Sequence, residues 1–111
     1  PFVDGIIDNF LAPDAKAEHV LFAKEVAFEA KVEGLVAALG AMKSRPNQRD
    51  LIDTTSTPIL IIEGEQDNAV TPIETSNPQI KKVKTDTGHL GMVEDAQTVA
   101  REILKFLNAE C

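Results

Sequence analysis

Apolar positions are spaced for helices at both ends of the chain and run together once in between. At the start, Phe2, Val3, Ile6, Ile7, Phe10 and Leu11 alternate with Asp4, Asp8 and Asn9. Their i, i+4 pairs predict a short amphipathic helix over residues 1–12, ended by Pro13. Asp14 then has the character of an N-cap, opening a helix to about Glu29. The apolar residues Ala17, Val20, Leu21, Val26, Ala27, Phe28 and Ala30 cover a wide sector of it, so more than one face is expected to be buried. A cleaner pattern follows at Val32, Leu35, Val36, Leu39 and Met42. It should stop near Ser44, because Pro46 restricts Arg45 and cannot continue the ladder. On helical spacing alone, Phe22, Phe28, Val36, Leu39 and Met42 are read as core of this helical segment rather than pocket wall. Residues 44–57 are polar and turn-rich, with Leu51 and Ile52 as their apolar anchor, and the main boundary falls there.

The continuous run is Ile59-Leu60-Ile61-Ile62, set between Pro58 and Gly64. A strand buried on both faces of a parallel sheet reads this way. A second strand is predicted from about Gln79 to Thr85. The chain closes with a helix from about Asp95 to Asn108, its apolar face formed by Ala96, Val99, Ala100, Ile103, Phe106 and Leu107. Arg101 and Lys105 toward its end match the helix dipole. The order helix, helix, strand, loop, strand, loop, helix is that of an α/β protein. It is an unfinished one, because two parallel strands need neighbours and helices on both faces.

Composition narrows the picture. A chain of 111 residues, 43% hydrophobic and 26% charged, has room for one globular domain. No apolar run approaches the roughly 18 residues of a membrane span, and Pro1-Phe2-Val3-Asp4 lacks a basic signal-peptide flank. A first residue other than Met suggests a native N-terminus further upstream. The net charge of −7 argues against nucleic acid and anionic membranes as partners. The basic cluster Lys81, Lys82 and Lys84 reads as a solvated strand face. The single cysteine, Cys111, permits no internal disulfide and points to a reducing, cytoplasmic setting; no other role is assigned to it.

The candidate chemistry is an Asp and a His. Asp67 lies just past the Ile59–Ile62 strand and His89 just past the second strand. Sites in open α/β sheets form outside the carboxyl ends of strands, so both loops should open on one edge. A buried Asp that accepts the Nδ1–H of a His fixes its tautomer and stabilises the imidazolium formed on proton transfer. Alone, Asp67 is an ordinary turn residue, because Asp side chains bond their own backbone there. His19, within a helix, is read as structural. His19, His89, Asp67 and Glu94 lack metal-ligand spacing, there is no Cys pair, and Gly64 and Gly88 are single turn glycines rather than a phosphate loop. No metal or organic cofactor is implied.

The segments Pro58-x-Leu60-x-Ile62-x-Gly64-x-x-Asp67, Thr71-Pro72 and Gly88-His89-x-x-Met92-x-Glu94, with the C-terminal helix, resemble the last part of an α/β-hydrolase. The stretch Gly34-Leu35-x-x-Ala38-Leu39-x-Ala41-Met42-x-x-Arg45-Pro46 resembles the end of the cap of small single-domain hydrolases. The resemblance implies a helical cap over residues 1–50 and the C-terminal part of the hydrolase core over 51–111. The expected fold class is therefore α/β, a partial α/β-hydrolase fold: a helical cap segment, two parallel-sheet strands and a C-terminal helix. Asp67 takes the acid position and His89 the general base, with Leu90, Gly91 and Met92 lining the site or supporting the His loop. The implied activity is hydrolysis of an ester-like small apolar substrate by a Ser-His-Asp triad. An Asp nucleophile, as in epoxide or haloalkane hydrolysis, stays open.

Two departures from the family pattern stand out. The serines are Ser44, Ser56 and Ser76, none within Gly-x-Ser-x-Gly, so the nucleophile and oxyanion hole are expected upstream. Only 12 residues separate Asp67 from Ile80, broken by Pro72 and by Asn77-Pro78, where a parallel crossover usually holds a helix. The crossover is either trimmed or lacks residues between Thr71 and Lys81. The 111-residue chain by itself is expected to be inactive and to need the N-terminal part of the fold or a self-association partner. The competing reading is a non-catalytic interaction module pairing through an exposed sheet edge.

Overall fold

A computed structural model describes residues 2–110; Cys111 lies outside them. The protein is mixed α/β. Its elements are α1 (Phe2–Phe10), α2 (Ala17–Phe28), α3 (Val32–Ser44), α4 (Arg49–Thr54), β1 (Ile59–Gly64), β2 (Ile80–Thr85), α5 (Gly91–Glu94) and α6 (Ala96–Glu110). None of the described helices is long and apolar enough to cross a membrane.

The buried apolar cluster lies between α1 and α2. Ile7, Leu11 and Ala23 are buried, with Val3, Ala15, Val20, Ala27 and Leu90 packed against them. Val3, Ile7 and Leu11 recur every four residues, and Val20, Ala23 and Ala27 form the matching stripe on α2. Lys24 adds an ion pair to each of two α1 acids one turn apart, Asp4 at 3.2 Å and Asp8 at 3.3 Å. Helix α2 therefore buries a single narrow stripe, not several faces. Leu21, Phe22, Val26 and Phe28 lie outside it and are exposed. Asp14 does not cap α2. Residues 12–15 form a turn closed by the Ala15 N–H on the Ala12 carbonyl, and Lys16, without a side-chain bond, occupies the cap position.

Helix α3 has the predicted bounds, but no side chain in it is buried. Val36, Leu39 and Met42, expected as core along with Phe22 and Phe28, are all exposed, because no described element covers that face. Within the turn-rich stretch, Asn47 Oδ1 accepts the Arg49 N–H at 2.9 Å and starts the short helix α4, which periodicity did not reveal.

Strands β1 and β2 pair in parallel, in register from Ile59↔Ile80 to Gly64↔Thr85. One face meets α6, where Val99, Ile103 and Phe106 share a concavity with Leu60 and Ile62. The crossover, non-helical throughout, lies along the other face. There Glu63 Oε1 accepts the Ile73 N–H at 2.9 Å, and Lys82 Nζ donates to the Ile73 carbonyl. Lys82 also lies 3.2 Å from Glu63 Oε2. Lys81 and Lys84 are exposed as expected, whereas Lys82 is partly buried and paired, so the basic cluster is not one solvated face. Every residue of β1 is half-buried rather than buried. Among the described residues the sheet has two strands, so β1 has no second neighbour of the kind that burial on both faces requires. At the far end, Asp95 Oδ1 accepts the Thr98 N–H at 3.2 Å and opens α6.

Candidate active site

The strands deliver Asp67 and His89 to the same edge because their pairing continues beyond the sheet. The Glu65 N–H donates to the Thr85 carbonyl at 2.8 Å and the Gln66 N–H to the Thr87 carbonyl at 2.9 Å. The two segments stay paired through Glu65 and Gln66, where the first turns, closed by the Asp67 N–H on the Gly64 carbonyl at 3.2 Å, and the second bends at His89. That close approach explains Gly64: a Cβ there would lie 2.1 Å from the Gly88 carbonyl oxygen. A Cβ on Gly88 would lie 2.5 Å from the Ala12 nitrogen. Among the described residues no glycine has a positive φ, so these two serve backbone proximity and not a left-handed turn.

His89 Nδ1 and Asp67 Oδ2 are 2.9 Å apart. The other carboxylate oxygen, Oδ1, accepts the N–H groups of Ala69 at 2.7 Å and Val70 at 3.1 Å. Asp67 is therefore a turn residue and the partner of His89 at once, one oxygen for each task. Burial pushes its carboxyl up, but the His89 hydrogen bond, the Ala69 and Val70 N–H groups and the His89 charge outweigh this. The net effect holds the group below its ordinary value of 3.8. An ionised Asp67 can only accept, so Nδ1 is the donor of this bond, and in the neutral form of the ring the lone pair lies on Nε2.

The asymmetry in exposure suits that division. The Asp67 side chain is 12% exposed and that of His89 is 35%. His89 borders two concavities. One, of about 550 Å³, is lined by Leu60, Ile62, Gly91, Met92 and Phe106 among others. The second, of about 450 Å³, holds Asp67, Val70, Pro72, Ile73 and Lys84 as well. Gly91 and Met92 thus line the site, while Leu90 packs into the α1–α2 cluster and supports the loop.

Two residues that the sequence did not single out for this site hold the His loop in place. The Phe10 carbonyl accepts the N–H groups of His89 at 2.8 Å and Leu90 at 3.2 Å. The Phe10 ring stands 5.2 Å from the imidazole, tilted by 53°. Glu94 accepts the Gly88 N–H at 2.8 Å and the Ala12 N–H at 3.1 Å, one on each oxygen. Glu94 was visible as the end of the Gly-His-x-x-Met-x-Glu run. Nothing in the sequence around Phe10 signals its placement.

Other candidates stay apart from the pair. His19 lies on α2 with Glu18 Oε1 at 4.0 Å. Ser44 bonds back to the Ala41 carbonyl at 3.4 Å, and Ser56 and Ser76 are exposed loop residues. The Thr85 and Thr87 hydroxyls meet at 2.8 Å, and Thr87 is 1% exposed. Thr87 also bonds the Gly88 carbonyl, so this hydroxyl pair is a structural brace. No group of three or more His, Cys, Asp or Glu among the described residues could hold a metal ion. The chain matches no protein-family model, and no curated protein matches it.

Proposed function

We propose that Asp67 and His89 are the acid and general base of a Ser-His-Asp hydrolase whose nucleophile is supplied by polypeptide preceding these residues. The observation that carries this is the 2.9 Å contact from His89 Nδ1 to a shielded Asp67 oxygen, with the imidazole itself about one-third exposed beside two concavities. In this reading residues 1–50 are the end of a helical cap and residues 51–111 the C-terminal part of an α/β-hydrolase core. His89 Nε2 takes the proton of the attacking hydroxyl and returns it to the leaving group, while Asp67 holds the ring and stabilises the imidazolium. The mainly apolar lining of the concavity bordered by Leu60, Ile62, Met92 and Phe106 fits an ester-like, apolar small molecule. An aspartate nucleophile would use the same pair to activate water.

The test is hydrolysis of p-nitrophenyl esters. The 111-residue chain should show no turnover. The longer polypeptide, carrying a Gly-x-Ser-x-Gly between a strand and a helix, should be active. There Asp67→Asn should lower kcat by about 10⁴-fold and His89→Ala by at least as much. An upstream sequence without a nucleophile at such a turn, or turnover indifferent to His89→Ala, defeats the reading.

A second reading draws on the half-buried, two-stranded sheet: the open edge of β1 accepts a strand from a partner and the chain has no chemistry of its own. The same assay separates the two.

A further inference from the structure

We infer that Glu94 is the positioning residue of this site, and that it works by fastening the His89 loop to the N-terminal helical segment. The inference rests on the reading of Asp67 and His89 as acid and base, and adds what sets the orientation of the base.

The Glu94 carboxylate spends its two oxygens on two backbone donors distant in sequence. Oε2 takes the Gly88 N–H at 2.8 Å and Oε1 the Ala12 N–H at 3.1 Å. Both donors belong to buried residues. Without the carboxylate each would be left without an acceptor in a place water does not readily reach. An ionised acceptor also makes a stronger bond than a neutral one. Gly88 immediately precedes His89, so the bond fixes the backbone one residue before the imidazole.

The rest of the seam points the same way. Between the two Glu94 bonds, the Phe10 carbonyl receives the His89 and Leu90 N–H groups, and the Phe10 ring rests near the imidazole. Gly88 has no room for a Cβ against Ala12 and Leu11, so the two segments meet backbone to backbone. A neutral side chain cannot reproduce this bridge. Gln offers one oxygen acceptor and places an NH₂ against the second N–H.

The experiment uses the full chain and two NMR readouts, amide exchange and the ¹⁵N signature of the His89 tautomer. Glu94→Ala should speed exchange at both Gly88 and Ala12 by at least roughly tenfold. It should also turn a single Nδ1–H tautomer into a mixture. Ile59, whose N–H is bonded to Gln79 at 3.0 Å, reports whether the sheet remains intact. Glu94→Gln should lose protection at one of the two amides, with a smaller tautomer change, and it decides the matter if the Ala variant unfolds. Protection kept at both amides overturns the inference. So does protection lost while His89 keeps its tautomer, because Glu94 would then be a brace without influence on the base. A wild-type His89 lacking the Nδ1–H form would instead count against the acid–base reading, leaving the amide result to judge the bridge separately.

Discussion

Helix α3 is far richer in apolar residues than the loop that carries His89, yet it is the loop, not the helix, that the rest of the molecule holds. On α3, Leu35, Val36, Leu39 and Met42 line one side at regular helical spacing, and no residue of the helix is buried. The His89 loop has no repeating pattern. Even so, it is tied by its backbone to Phe10, by Glu94 to Ala12 and Gly88, and by its side chain to Asp67. Helical spacing is a local property that needs no partner to be written into a sequence. Burial is a relation between segments. A 13-residue helix without a packed face is marginal in water, so α3 has less to hold it in place than the site does.

Glycine substitutions should expose the contrast most strongly. Gly64→Ala would drive a Cβ into backbone on the far side of the site, a clash that no side-chain rotation relieves, and should cost about 4 kcal/mol or more. In α3, Gly34 and Gly40 have nothing within 4 Å of an added Cβ. Gly34→Ala or Gly40→Ala should therefore stabilise the helix by about 0.5–1 kcal/mol. Urea denaturation and helix-resolved amide exchange give the two signs, and a Gly64→Ala protein as stable as wild type would break the comparison.

Leucine truncation follows in size. Leu11 is 2% exposed in the α1–α2 cluster, and Leu11→Ala should cost about 2–3 kcal/mol, toward the low end for a core leucine because the cluster is small. Leu39→Ala should change stability by no more than about 0.5 kcal/mol. Equal losses from the two, by shift of the denaturation midpoint, would mean that α3 is covered in solution.

The smallest effect is that of pH. The Asp67 carboxyl is held below its ordinary 3.8 in the folded chain. Its stabilising contribution is complete above that ordinary value and is lost as pH falls through the lower, folded one. Acid denaturation should therefore be shallower in Asp67→Asn than in wild type below about pH 4. Unchanged acid sensitivity would show that the His89 bond does not favour the ionised form.

The meeting of Asp67 and His89 was legible in the sequence. Asp67 and His89 each follow a strand, and parallel strands put the ends of both on one edge, so their meeting followed from order alone. The double use of the Asp67 carboxylate was legible only as two competing roles, because spacing cannot show that two oxygens face different ways. Helix α4 escaped notice because six residues begun by an Asn47 side chain contain too little periodicity. Lys82 was grouped with its neighbours because its pairing with Glu63 depends on the register of β1 against β2.

What the sequence determined by itself was the type and order of the main elements and the placing of Asp67 and His89 just past two parallel strands. These depend on neighbours along the chain: periodicity, proline and glycine stops, and the alternation of strand and loop. The tertiary structure alone decided that Gly64 and Gly88 are glycines for want of space, that Phe10 and Glu94 belong to the site, and that α2 buries one stripe while α3 buries none. Each of these is a contact between segments far apart in the chain, and its energy comes from surfaces and hydrogen-bonding groups that meet only after folding.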